Sequence, residues 1–169
     1  MTKCPVCDYP ETDDIRVLLE RIGDPALCVE LAVEAAESVS HLTDNPSRTR
    51  KLLACARAWR KDPASIIESR DRFTSPLEHN STRDKALWAC SAALQVAYVA
   101  ASGSNGGNRN WVFAAGALEW AAKAQGVEEK DLARLVRLPE SVKQSVCTCP
   151  ALPEGDLTHQ RGRTSLLAG

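Results

Sequence analysis

The sequence offers almost no net charge. Its 21 Lys and Arg nearly balance 22 Asp and Glu, for a formal net charge of −1, so nothing global draws the chain towards nucleic acid or an anionic membrane. It also lacks a long apolar run. The longest, residues 86–101, is interrupted by Ser91 and Gln95, whereas a membrane-spanning helix needs roughly 20 apolar residues. That run reads as a central buried helix, and no membrane association is expected. Residues 1–14 are polar and carry no apolar segment of the kind an export signal needs. A cytoplasmic, reducing setting is therefore expected, in which the seven cysteines do not form a disulfide framework. Catalytic signatures are missing as well. There is no G-x-S-x-G, no P-loop, no dinucleotide fingerprint and no H-E-x-x-H. The Gly-rich stretch 102–110 does not match a phosphate-binding loop, and the spacing of the Ser and His residues does not indicate a triad. The expectation is a protein that is not an enzyme.

What is present is alanine, the best helix former, which adds little preference for strands. With 169 residues, 44% hydrophobic and 25% charged, the chain is long enough to bury a core without disulfides. The pattern predicts one all-α domain over residues 1–150 and a flexible tail over 151–169. Asp13-Asp14 starts a short helix to residue 21, closed by Gly23. Asp24-Pro25 starts a helix to residue 42, with Cys28, Leu31, Ala32, Ala35, Val39 and Leu42 on its apolar face. Ser47 is expected to cap a helix to residue 61 with Leu52, Cys55, Ala56 and Trp59 inward. Asp62-Pro63 starts a short helix through residue 70. Ser81 or Thr82 starts the buried helix, and Asn110 caps a helix over 111–125 that ends at Gly126. A shorter amphipathic helix with Val127, Leu132, Leu135 and Val136 follows.

The two halves look alike. Asp24, Ala26 and Leu27 match Asp84, Ala86 and Leu87, and the segment from Leu53 to Trp59 resembles that from Ala114 to Trp120. Either this is a duplicated helical hairpin or alanine-rich helices mimic one another. In both cases the chain reads as a multi-helix bundle of two similar helical hairpins plus short flanking helices.

Three groups of residues are candidates for chemistry. Cys4 and Cys7 form a C-x-x-C step near one end, and Cys147 and Cys149 a C-x-C step near the other. Four converging thiolates suit one structural zinc ion, with His159 a substitute ligand, and such a site would staple the domain shut. Unconnected solvent-facing thiols remain the alternative. A redox pair is disfavoured because no βαβ pattern surrounds Cys4 and Cys7. Cys28, Cys55 and Cys90 lie on apolar faces as small core residues. On the second helix, Glu30, Glu34, Glu37 and His41 form a polar stripe. Di-iron chemistry needs matching carboxylates on partner helices, and no other helix supplies them, so the stripe reads as a solvated face able to dock a basic partner. The next helix carries Arg48, Arg50, Lys51, Arg57, Arg60 and Lys61 without one acid. Opposite charges support pairing of these two helices, although burial of their apolar faces must dominate, since exposed pairs contribute about 0–1 kcal/mol. The same basic helix, 48–61, supports an alternative in which a zinc-stapled helical protein associates with nucleic acid, but a cluster without a recognised motif is weak support.

The segments Leu27-Cys28-Val29-Glu30-Leu31-Ala32-Val33-Glu34-Ala35, Pro46-Ser47-Arg48, Leu53-Ala54-Cys55-Ala56-Arg57-Ala58-Trp59 and residues 65–70 resemble a helical family of immunity proteins from bacterial polymorphic toxin systems, the fifth numbered family. Residues 86–101 and 111–124 resemble its later alanine-rich helices, so the resemblance covers about residues 24–125. The paired terminal cysteines are not part of that pattern. The resemblance implies a protein that neutralises a toxin by stoichiometric binding. The contacts expected with such a partner are Glu30, Glu34, Glu37, Arg57 and Arg60.

Overall fold

The computed structural model describes residues 15–73, 76, 80–103 and 110–128. These residues form six α-helices and no strand: α1 (Ile15–Ile22), α2 (Pro25–Val39), α3 (Pro46–Arg57), α4 (Pro63–Asp71), α5 (Thr82–Ser102) and α6 (Asn110–Ala124). A 3₁₀ turn, Ser40–Leu42, follows α2. The all-α bundle expected from the alanine-rich pattern is what forms. The helix foreseen beyond Val127 and the tail 151–169 lie outside the described residues.

Three helices begin with one device. An Asp or Asn side chain just before a proline accepts a hydrogen bond from a first-turn amide. Asp24 Oδ1 accepts from Ala26 N at 2.9 Å, Asn45 Oδ1 from Arg48 N at 3.0 Å, and Asp62 Oδ1 from Ser65 N at 3.1 Å. Proline at the first helical position brings a preset φ and gives up only an amide that has no partner there. The start of α3 therefore differs from the sequence expectation: Asn45 rather than Ser47 caps it, and Pro46 is its first residue. Ser81 caps α5, accepting from Asp84 N at 3.0 Å. At the far end of α6, Val127 N donates to Ala122 O and Gly126 N to Lys123 O, both at 3.1 Å, with Gly126 at φ +87°. That paired closure around a left-handed glycine is a Schellman motif.

α2, α5 and α6 pack on one another and form the centre. Trp88 near the start of α5 stacks on Trp120 near the end of α6, with ring centroids 6.1 Å apart, so these two helices run antiparallel. Gln125 Nε2 just past α6 donates to Ser38 Oγ near the end of α2 at 3.1 Å, so α2 and α6 run the same way. The seam is built from small residues: Ala32 and Ala36 of α2, Ala89, Ala93 and Ala97 of α5, and Ala114, Ala117 and Ala121 of α6, all buried. Small side chains let helix axes approach closely, and bulk then has to come from elsewhere. It comes from outer and central helices together: Leu19 of α1, Leu53 of α3 and Ile66 of α4 are each completely buried, alongside Leu94 and Val96 of α5 and Val29, Val33 and Val39 of α2.

The inward face of α3 also departs from expectation. Thr49, Leu53 and Ala56 are its buried line, while Leu52, Cys55 and Trp59 are only half-buried. A threonine is acceptable there because its hydroxyl meets that of Thr43 at 3.0 Å, and Thr43 Oγ1 donates to Ser40 O at 2.7 Å. The helix stops at Arg57, and a turn over 58–61 closes through Lys61 N to Ala58 O at 2.8 Å. The matched tryptophans of the two halves end in unlike places: Trp120 lies within α6, and Trp59 lies in that turn. Asp24 caps α2, whereas Asp84 sits three residues inside the cap of α5.

Candidate functional site

α2 is buried on almost every side. Cys28, Val29, Leu31, Ala32, Val33, Ala36 and Val39 are covered, and Glu30 and Glu34 face solvent. The acidic stripe is thus the single solvent-facing line of an otherwise interior helix. Among the described residues, neither Glu30 nor Glu34 has an ion-pair partner. Glu37 is half-buried and accepts from Arg57 of α3, Nη2 to Oε2 at 2.9 Å. Two of the five expected partner contacts are therefore joined to each other across the α2–α3 pair. Arg57 keeps 53% of its side-chain surface exposed. An ion pair this open contributes about 0–1 kcal/mol, so a binding partner can exchange either charge at little loss. His41 lies past the end of α2, in the 3₁₀ turn, and is exposed.

The basic side of the pair is less uniform than its composition suggests. Arg60 lies on the turn after α3 with its guanidinium 5.2 Å from the centre of the Trp59 ring. Arg48 Nη2 donates to Arg72 O at 3.3 Å, which ties α3 to the end of α4. Arg50 Nε reaches Ser40 Oγ at 3.5 Å. Arg57 is engaged by Glu37. Lys51 and Lys61 are exposed. The surface that α2 and α3 present together is a line of carboxylates beside a row of cations, several already held by the protein's own groups.

Sequence reading missed a second charged cluster. Arg83 at the start of α5 reaches Asp44 Oδ1 and Asp84 Oδ1, each at 3.3 Å, and so ties α5 to the turn before α3. The hydroxyl of Ser81 and then the Arg83 guanidinium hold the Asp84 carboxyl below the usual carboxylate range. Hydrogen bonding to Asp84, with Asp44 nearby, raises the pKa of Arg83. The i,i+3 spacing of Ser81 and Asp84 is a capping-box signature, but Asp44 lies 39 residues away from Arg83 in sequence and no local pattern announces it.

Cys28 and Cys90 are buried in the core. Burial, then the charge of Asp24, pushes the Cys28 thiol up to about 12, and burial alone pushes Cys90 to about 12. Cys90 donates weakly to Ala36 O at 3.9 Å across the α5–α2 contact. A thiol that stays protonated packs as a small apolar group. Cys4, Cys7, Cys147 and Cys149, the expected zinc ligands, lie outside the described residues, as does His159. Among the described residues, no group of three or more His, Cys, Asp or Glu is gathered to hold a metal ion. No described helix is long and apolar enough to cross a membrane.

No family model, no curated protein and no solved structure matches the chain.

Proposed function

We propose that this chain is a non-catalytic protein-binding protein, similar in role to an immunity protein that neutralises a toxin by stoichiometric binding. The observation that carries the reading is the α2–α3 surface. Glu30 and Glu34 stand exposed on a helix that the core otherwise immobilises, and the Glu37–Arg57 pair beside them is open to solvent. Charges fixed on a rigid element lose little freedom on binding, and complementary charge speeds encounter and fixes register. The resemblance over residues 24–125 falls on the same helices. One zinc ion held by Cys4, Cys7, Cys147 and Cys149 belongs to the proposal as a structural staple and has no part in recognition. The cytoplasm is the setting this reading requires.

The test uses the toxin domain encoded beside the chain's own gene. The wild-type protein should bind that domain and protect cells expressing it. Reversing the acidic line with Glu30→Lys and Glu34→Lys together should slow association at low salt and weaken binding at least tenfold, with the melting temperature unchanged, because neither side chain is part of the core. No binding by the wild-type protein, or no such toxin domain, overturns the reading. A salt-sensitive shift of a DNA or RNA probe by the wild-type protein, abolished by replacing Lys51 and Lys61, would favour the nucleic-acid alternative instead.

A further inference from the structure

A cleft of about 310 Å³ opens between the end of α4 and the middle of α5, lined by Arg70, Asp71, Phe73, Ser91, Leu94 and Gln95. It lies at the small end of the range that holds small molecules. Arg70 is held there on two sides. Its guanidinium stacks 4.3 Å from the centre of the Tyr98 ring, and its Nε donates to Gln95 Oε1 at 3.0 Å. Gln95 and Tyr98 are three residues apart on α5 and so share one helix face. They fix the plane and the rotation of an arginine that would otherwise sweep a large volume.

This arrangement leaves the two Nη groups, which among the described residues have no protein acceptor. Two parallel N–H donors at the tip of a fixed fork match the two oxygens of a carboxylate. Because the fork is already ordered, a ligand does not have to supply that ordering. Asp71, the next residue, also lines the cleft and has no ion pair among the described residues. Its negative charge opposes a dianion and favours a ligand that carries a cation beside its carboxylate. The amide nitrogen of Gln95 adds a neutral donor.

We propose that the α4–α5 cleft is a binding site for a small zwitterion of the free α-amino-acid class, its carboxylate on Arg70 and its ammonium towards Asp71. The site uses residues 70–73 and α5 and does not rest on the toxin-binding reading. Titration calorimetry of the full chain with glycine, L-serine and L-phenylalanine tests it, with acetate and methylamine as the two half-ligands. At least one amino acid should bind saturably, at least tenfold more tightly than either half-ligand. Arg70→Gln should weaken that binding at least tenfold. Asp71→Asn should weaken the amino acid while leaving acetate unchanged or tighter, a split that a merely structural role for Asp71 would not produce. Both side chains are exposed, so the variants should remain folded, and circular dichroism checks this. Absence of saturable binding by every amino acid probe overturns the proposal. So does acetate binding as tightly as the amino acids, or an Arg70→Gln protein that binds undiminished.

Discussion

Asp84 shows how much can depend on a single side chain. It accepts from Ser81, faces Arg83, and stands in the first turn of the longest described helix, where a negative charge also suits the helix dipole. Its folded-state pKa is lowered, so the charged form is favoured by folding. The stability it contributes is present above the unfolded carboxylate value of about 4 and is lost as pH falls through the folded value. Urea midpoints measured from neutral pH down to acid should therefore fall less steeply for Asp84→Asn than for the wild type, with the variant less stable at neutral pH. Two parallel curves would mean that Asp84 is not held as described. Residue identity was only partly legible beforehand. Glu30 and Glu34 read correctly as solvent-facing, because helical spacing sets them opposite Ala32 and Val39. Thr49 did not read as buried, because its partner Thr43 lies across a turn, and a hydroxyl satisfied by another hydroxyl resembles an exposed one in sequence. Arg70, Gln95 and Tyr98 left no trace, since the contact joins residues 25 or more positions apart.

At the scale of elements, the ends of helices were more readable than their faces. Asp-Pro pairs at 24–25 and 62–63 fixed two starts, and Gly126 fixed one stop, because each residue type has one dominant backbone reason to be there. The faces were harder. In an alanine-rich helix, several neighbouring stripes are equally apolar, and the choice between them falls to distant bulk such as Leu53 entering against α5. Two glycines near the end of the fold separate conformation from packing. A methyl group added at Gly116 or at Gly126 meets nothing within 4 Å. Gly116 is inside α6, whereas Gly126 sits at φ +87°. Gly116→Ala should therefore stabilise the protein by about 0.5–1 kcal/mol. Gly126→Ala should destabilise it by about 1 kcal/mol, the left-handed penalty less the entropy lost from the unfolded chain. Thermal unfolding of the two variants reads the opposite signs directly, and equal shifts would show that the α6 end is not closed in the way described.

At the scale of the molecule, a close-packed alanine seam through α2, α5 and α6 supports short outer helices that place Ile15, Leu19, Leu53 and Ile66 in the core. Such a body leaves its charges on a stiff frame, and that is the property a stoichiometric inhibitor requires. A binder and an enzyme differ in how much protein is needed to silence a target. The decisive measurement is therefore a titration of toxin activity against added chain, with native mass spectrometry on the same mixtures. The account predicts a straight decline to zero at one equivalent and a one-to-one complex of intact partners. Complete loss of toxin activity at a small fraction of an equivalent, or a modified toxin with no complex, would contradict it.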